Sequence, residues 1–176
     1  MTTANSTAPL RATSALFGLL ATCLTSGAAA EDIVRRTHPS FPIATSVAVP
    51  AGSSMLFVSG TLADVVDDKA PAGSVERLGD TATQAKSVLD KIARELQSAG
   101  FAMTDVVRMN VYLVGDPRKG GTMDFEGLMR SYLEVYGPHV ERKLLPARTT
   151  VQVAALPLPG ALVEIEVVAA KPIPSH

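Results

Sequence analysis

The chain has 176 residues with 16 Lys and Arg against 17 Asp and Glu, a formal net charge of −1. This length favours one compact domain, and the near-neutral charge argues against a protein that binds the phosphate backbone of nucleic acids. One Cys and three His exclude an intramolecular disulfide framework and are too few for a structural zinc site.

The first 30 residues have the pattern of a secretory signal peptide. They contain no acidic residue and one basic residue, Arg11, followed by an apolar run over 15–24 and small residues over 27–30. This order predicts cleavage after Ala30 and an exported, periplasmic protein. No membrane segment would remain after cleavage, and the run is shorter than the ~20 residues that span a bilayer. Lipidation at Cys23 is the lesser alternative, because a Thr precedes that Cys where a small residue is expected.

The start of the mature chain is predicted to be an extended arm over 31–41, followed by a β-hairpin. Two short apolar segments, 46–49 and 55–59, are separated by turn-forming residues over 50–54. This arrangement predicts that the two strands pair with each other. The polar residues from 61 to 79 predict a loop.

The strongest helical pattern begins at residue 80 or 81. Thr81 and Gln84 have the spacing of a capping box, in which both side chains bind free N–H groups at the helix start. Apolar residues then recur at helical spacing: Ala85, Val88, Leu89, Ile92 and Leu96. Gly100 is expected to end this helix.

The second half of the chain is predicted to contain a strand over 106–114, a helix over 123–136 and a final hairpin of 148–155 with 162–169. The order is therefore β-β-α-β-α-β-β. We expect an α+β domain over 42–176, with both helices on one face of a single sheet.

The sharpest chemical feature lies on the last two strands. Since alternate residues of a strand share a face, Arg148, Thr150 and Gln152 point one way, and Glu164 and Glu166 form a second polar side. Pairing the apolar sides of the predicted hairpin would align both polar sides on one surface. An Arg can bind a substrate carboxylate through two parallel N–H bonds, and a nearby carboxylate can orient water. The alternative is an ordinary solvated face.

Five segments of the chain occur in an order found in a known family. They are Val58–Thr61, the helix over 83–100, Thr104–Leu113, Pro146–Thr150 and Gly160–Glu166. Together, over about residues 42–171, they resemble the Rid family (reactive intermediate deaminases of the YjgF type, also called the L-PSP endoribonuclease family). The most specific pieces are P-A-R-T-T and the A-L-V-E-I-E that follows it.

The resemblance implies a chorismate-mutase-like fold and a homotrimer whose sheets form a central barrel, with ligand clefts between neighbouring subunits. It also implies hydrolysis of enamine or imine intermediates such as 2-aminoacrylate to the 2-oxo acid and ammonia. The expected ligand is a small carboxylate-bearing imine, enamine or 2-oxo acid. The resemblance implies no metal or organic cofactor, and the acidic balance of the chain argues against RNA cleavage and against a nucleic-acid partner.

The resemblance also implies roles for single residues. Arg148 matches the arginine that binds the substrate carboxylate, and Glu164 matches the glutamate that positions the attacking water. Gly60 lies on the segment whose backbone lines the cleft, and Thr61 follows it. Thr150 stands where family members often have Cys or Ser. We therefore expect Arg148 and Glu164 to be catalytic, and Arg148, Gly60, Thr61 and Thr150 to contact the substrate.

Several positions depart from the family pattern and indicate a divergent, exported member. Ile43 aligns with a cleft tyrosine, Thr61 with a Gln and Met129 with a frequent Asn, while the loop over 138–147 is longer than in compact members. These departures leave a second hypothesis open. The chain would then be a non-catalytic binder or sensor of small carboxylates.

Overall fold

The computed structural model describes residues 1–2 and 31–173. The predicted signal peptide, apart from its first two residues, lies outside this range. Six strands are present: β1 (Val34–Thr37), β2 (Ala44–Ala48), β3 (Ser54–Leu62), β4 (Val106–Val114), β5 (Ala147–Val153) and β6 (Val163–Lys171). The helices are α1 (Val75–Leu78), α2 (Thr81–Ser98) and α3 (Phe125–Tyr136). In the described part of the chain, no helix has the length and apolar character needed to cross a membrane.

The strands form one mixed sheet in the order β1-β2-β5-β4-β6-β3. Strand β4 lies between β5, which runs parallel to it, and β6, which runs antiparallel. The buried side chains of α2 and α3 share one core with alternate residues of β4 and β6. The predicted α+β class is therefore confirmed, with β1 and the short helix α1 as additional elements.

Two predicted strand pairings are wrong. Strand β2 pairs with β1, which arises from the predicted extended arm, and with β5, whereas β3 pairs with β6. Strands β5 and β6 do not form a hairpin, because β4 lies between them. The connection over 154–162 is longer than the roughly two to five residues of common hairpin loops, so it leaves room for a third strand.

Helix α2 begins where predicted, but its cap differs from the predicted capping box. The side chain of Asp80 accepts a hydrogen bond of 2.8 Å from the Thr83 amide. Gln84 is buried, donates to the Gly160 carbonyl and accepts from the Leu162 amide at 2.7 Å. Because Asp80 already binds an orphan N–H of the first turn, Gln84 is free to fasten the helix to the turn that precedes β6.

Candidate functional site

Strand β5 carries Arg148 into the space between the sheet and α3. Arg148 is in register with Met109, which is buried on the helix-covered face. The Cζ atom of Arg148 lies 5.5 Å from the ring centre of Phe41, 5.7 Å from that of Phe125 and 4.1 Å from that of Tyr132. We call these three rings the aromatic cage. Contacts of this kind stabilise a cation through the negative faces of the rings.

The guanidinium of Arg148 has no carboxylate partner among the described residues. Its two terminal nitrogens each lie 3.4 Å from the sulfur of Met129, and a thioether is only a weak acceptor. Burial lowers the pKa of Arg148 and raises the pKa of Tyr132 to about 12. The cage therefore holds a charged arginine beside a neutral phenol, and no carboxylate of residues 31–173 balances the positive charge.

The cage residue Phe41 lies outside helices and strands, yet its backbone is held by hydrogen bonds, one of them from the Ile43 amide to its carbonyl at 2.9 Å. Its amide donates to Nδ1 of His38 at 3.0 Å, and its carbonyl accepts from Nη2 of Arg142 at 3.3 Å. Arg142 also donates to the His38 carbonyl. The loop over 138–147 thus supports the cage, and His38 acts as an acceptor in a turn.

Thr150 points to the same side as Arg148, two residues further along β5. It is in register with buried Val111, and its own hydroxyl is buried without a hydrogen-bond partner in the described structure. The side-chain oxygen of Gln152 is already hydrogen-bonded, because it accepts from the Met123 amide at 2.8 Å. The predicted common side of these three residues is confirmed, and two of them retain unused hydrogen-bonding capacity.

Glu164 points to the opposite side of the sheet. It is in register with Tyr112 of β4, whose hydroxyl donates to Glu166 at 3.1 Å on the face away from the helices. On β4, Arg148 pairs with residue 109 and Glu164 pairs with residue 112. Because alternate residues of a strand share a face and these positions are three residues apart, the two side chains point to opposite faces of the sheet. The predicted common surface is therefore wrong within one protomer, because it depended on a hairpin that does not form.

Glu164 lies instead beside the end of β3. A bulge places Ser59 and Gly60 opposite a single residue of β6, and the carboxyl end of Glu164 fills the space that a side chain at residue 60 would need. The hydroxyl of Thr61 donates to the Ser59 carbonyl at 3.1 Å. The structure thus brings Gly60, Thr61 and Glu164 together and leaves Arg148 on the other face.

A groove of about 560 Å³ runs along the edge strand β3 and helix α2. Gly60 and Thr61 line it together with Lys91 and Arg94 of α2, whereas Arg148 does not. Gly60 and Thr61 therefore open onto one part of the protomer surface and Arg148 onto another.

Residues 41–171 match the sequence profile of the family described as Endoribonuclease L-PSP. The chain belongs to this family. A RutC family protein of Pyrococcus horikoshii is 35% identical over 126 residues, which are 72% of this chain and 86% of that protein. A RutC family protein of Synechocystis is 30% identical over 140 residues, which are 80% of this chain and 96% of that protein.

Solved structures of L-PSP family relatives show the same fold. A protein of unknown function of the conserved Rid family from Yersinia pestis has a TM-score of 0.55 at 25% identity, over 76% of this chain and 92% of that chain. The YjgF gene product of E. coli has a TM-score of 0.50 at 28% identity, over 70% of this chain and 84% of that chain. The predicted Rid and YjgF membership is confirmed.

Within the L-PSP fold of this chain, sequence reasoning missed the aromatic cage. Phe125, Met129 and Tyr132 follow each other at helical spacing on α3, a pattern that signals one face but does not say what the face meets. Phe41 comes from an irregular segment and carries no periodic signal. Ile43, which aligns with the family's cleft tyrosine, packs against the hydrophobic core.

Proposed function

We propose that this protein hydrolyses reactive enamine or imine intermediates of small carboxylic acids, such as 2-aminoacrylate, to the 2-oxo acid and ammonia. Membership of the Rid and YjgF group supports a role of this general type. The observation that carries the proposal is the half-buried guanidinium of Arg148, whose acceptor is a thioether rather than an anion. Such a charge is costly unless it is compensated, and a small carboxylate would compensate it through paired hydrogen bonds.

The proposed site is shared between two copies of the chain. One protomer cannot aim Arg148 and Glu164 at the same small ligand, because the two side chains lie on opposite faces of its sheet. The site would be completed by a second copy of the chain that places the end of its β3, with Gly60 and the adjacent Glu164, against the aromatic cage of the first copy. Such a contact joins two different surfaces and forms a closed ring when the rotation between neighbouring copies closes. We propose the ring of three that the family resemblance implies, a homotrimer.

Exposed apolar side chains on the open face of the sheet support assembly. Phe57 is 72% exposed, Met55 46% and Val151 41%. Met55 and Phe57 lie on β3 and Val151 on β5, and the two strands between them carry a polar network in which Asn110 donates to Glu166 at 2.6 Å. Met55 and Phe57 form an exposed apolar pair on β3, and because exposed apolar patches mark interaction sites, this face is the proposed packing surface between subunits.

In the proposed reaction each side chain has a distinct role. Arg148 binds the substrate carboxylate, and the enamine reacts as its imine tautomer. Glu164 of the neighbouring copy takes a proton from water as the water oxygen bonds to the imine carbon. That proton passes to the imine nitrogen, which gives a carbinolamine. A second proton then moves from the new hydroxyl to the nitrogen as the C=O bond of the 2-oxo acid forms, the C–N bond breaks and ammonia leaves. The unpartnered hydroxyl of Thr150 is available to hydrogen-bond the ligand beside its carboxylate.

Substitution of Arg148 tests the proposal. Imines generated enzymatically from amino acids are supplied to the protein, and release of ammonia and 2-oxo acid is measured above the spontaneous rate. Arg148→Ala is expected to lower kcat/KM about 100-fold, because positioning and charge compensation are both lost. Arg148→Lys is expected to keep only part of the wild-type kcat/KM, since an ammonium lacks the planar, two-pronged geometry of a guanidinium.

Arg130→Ala removes an exposed arginine of α3 and serves as the matched control. Equal rates for wild type and Arg148→Ala would remove Arg148 from the mechanism.

A non-catalytic binder of small carboxylates is the second candidate. It is favoured by Met129, which presents a thioether rather than an amide to the guanidinium. Calorimetry would then detect binding of 2-oxo acids that depends on Arg148, while no imine would be hydrolysed faster than in buffer.

We also propose that the chain is exported to the periplasm after removal of residues 1–30. N-terminal sequencing of protein from the periplasmic fraction is the test. A mature chain that begins at Glu31 would support export, and an intact Met1 would argue against it.

A further inference from the structure

The sulfur of Met129 occupies the end of the Arg148 guanidinium that a carboxylate would use. It lies 3.4 Å from both Nη1 and Nη2, so one atom accepts from two nitrogens. A carboxylate that binds both nitrogens makes two parallel hydrogen bonds from the same edge. The thioether and a ligand carboxylate therefore cannot both occupy this position.

The methionine side chain is suited to leave this position. It is unbranched, has three rotatable bonds and adapts readily to its surroundings, and Met129 is only partly buried. Exchange of a neutral thioether for a carboxylate replaces a weak acceptor by a charge-assisted one. The exchange therefore favours the anion.

The aromatic cage keeps the guanidinium of Arg148 in place while its two terminal nitrogens exchange one hydrogen-bond acceptor for another. Tyr132 lies 4.1 Å and Phe125 5.7 Å from Cζ of Arg148, measured to the ring centres. Both rings stand on α3, one turn before and one turn after Met129. A rotation of the Met129 side chain can expose the two nitrogens without a movement of the helix.

We infer that Met129 is a displaceable placeholder for the ligand carboxylate. In the free protein its sulfur satisfies the terminal nitrogens of Arg148, and a small carboxylate binds by moving the thioether aside. This inference rests on the proposed function, because it concerns the carboxylate of the same ligand. It makes Met129 a determinant of ligand affinity, since every ligand must displace the thioether before it can bind.

The experiment follows the Met129 methyl group during binding of 2-oxobutanoate, a stable 2-oxo acid. The full chain is labelled with 13C at its methionine methyl groups, and the Met129 resonance is assigned by its loss in Met129→Leu. We expect this resonance to shift on titration, with a midpoint that matches the calorimetric Kd. Met129→Ala leaves nothing to displace, so it is expected to bind 2-oxobutanoate about three- to tenfold more tightly. Met123→Ala is the matched control and should leave the Kd unchanged.

The outcomes separate this inference from the proposed function. If 2-oxobutanoate binds while the Met129 resonance stays in place, the thioether is not displaced and only this inference is wrong. If Met129→Ala binds 2-oxobutanoate and the wild type does not, the thioether is a permanent block, which overturns the inference. If neither protein binds, the proposed carboxylate site fails and the inference fails with it.

Discussion

Glu164 can lie beside β3 because residue 60 has no side chain. A Cβ atom at Gly60 would overlap Oε1 of Glu164 and lie 2.8 Å from its Cδ, closer than unbonded carbon atoms approach. The atoms in conflict belong to the far end of a flexible side chain, which can swing away. The glycine therefore controls where the carboxylate points more than it controls whether the chain folds.

Gly60→Ala should separate activity from stability. We expect imine hydrolysis to fall about tenfold or more, because a displaced carboxylate no longer aims water at the substrate, while the free energy of unfolding changes by less than about 1 kcal/mol. Urea unfolding and the imine assay measure the two quantities. Ser59→Ala, at the neighbouring exposed position of the bulge, is the control. Full activity in Gly60→Ala would show that the position of Glu164 does not matter.

At the scale of elements, the start of α2 depends on the charge of Asp80. Its carboxylate accepts the Thr83 amide at 2.8 Å, and this backbone hydrogen bond lowers the pKa of Asp80. A lowered pKa means that the folded state favours the ionised form. The associated stability is present above the pKa of Asp in the unfolded chain and is lost as the pH falls through the lower folded value.

Asp80→Ala should lower the free energy of unfolding by about 1 kcal/mol at neutral pH, the usual effect of removing an N-cap. The difference from wild type should begin to shrink as the pH falls below about 4, the pKa of Asp in the unfolded chain, and should vanish below the lower pKa of Asp80 in the folded state. Urea unfolding over a pH series measures both effects. Asp90→Ala removes an exposed carboxylate paired with Lys86 and should cost less than about 0.5 kcal/mol. A difference between wild type and Asp80→Ala that does not vary with pH would contradict the assigned role of the charge.

The approximate extent of the main helices and strands was predictable from sequence, but their pairing was not, and neither were β1 and the helix α1 inside the predicted loop over 61–79. The alternation of apolar residues located β4 at 106–114, its observed span, because that pattern is local. The same alternation placed Arg148 and Thr150 on one side of β5 correctly. It does not say which strand lies alongside or which face meets the helices, since those depend on contacts distant in sequence. The position of Arg148 relative to Glu164 depended on pairing and was therefore wrong.

At the scale of the whole molecule, the opposite orientation of Arg148 and Glu164 decides where the proposed site can form. A protomer alone presents a cation in an aromatic cage on one face and a carboxylate beside a bulge on the other. Under the proposed function the ligand is small, so it can touch both groups only where two copies meet. Activity should therefore belong to the assembly rather than to the single chain.

Subunit complementation tests this directly. Arg148→Ala and Glu164→Gln chains, each expected to be inactive alone, are co-expressed with different tags, and oligomers carrying both tags are confirmed by tandem purification. An unfractionated equal mixture should recover roughly a quarter of the wild-type activity per chain, since about three quarters of randomly assembled trimers are mixed and each mixed ring has one complete cleft in roughly three. The control pairs Arg148→Ala with a chain that carries both substitutions, which cannot rebuild any cleft. Mixed oligomers that stay as inactive as this control would show that the two groups do not act across a subunit boundary.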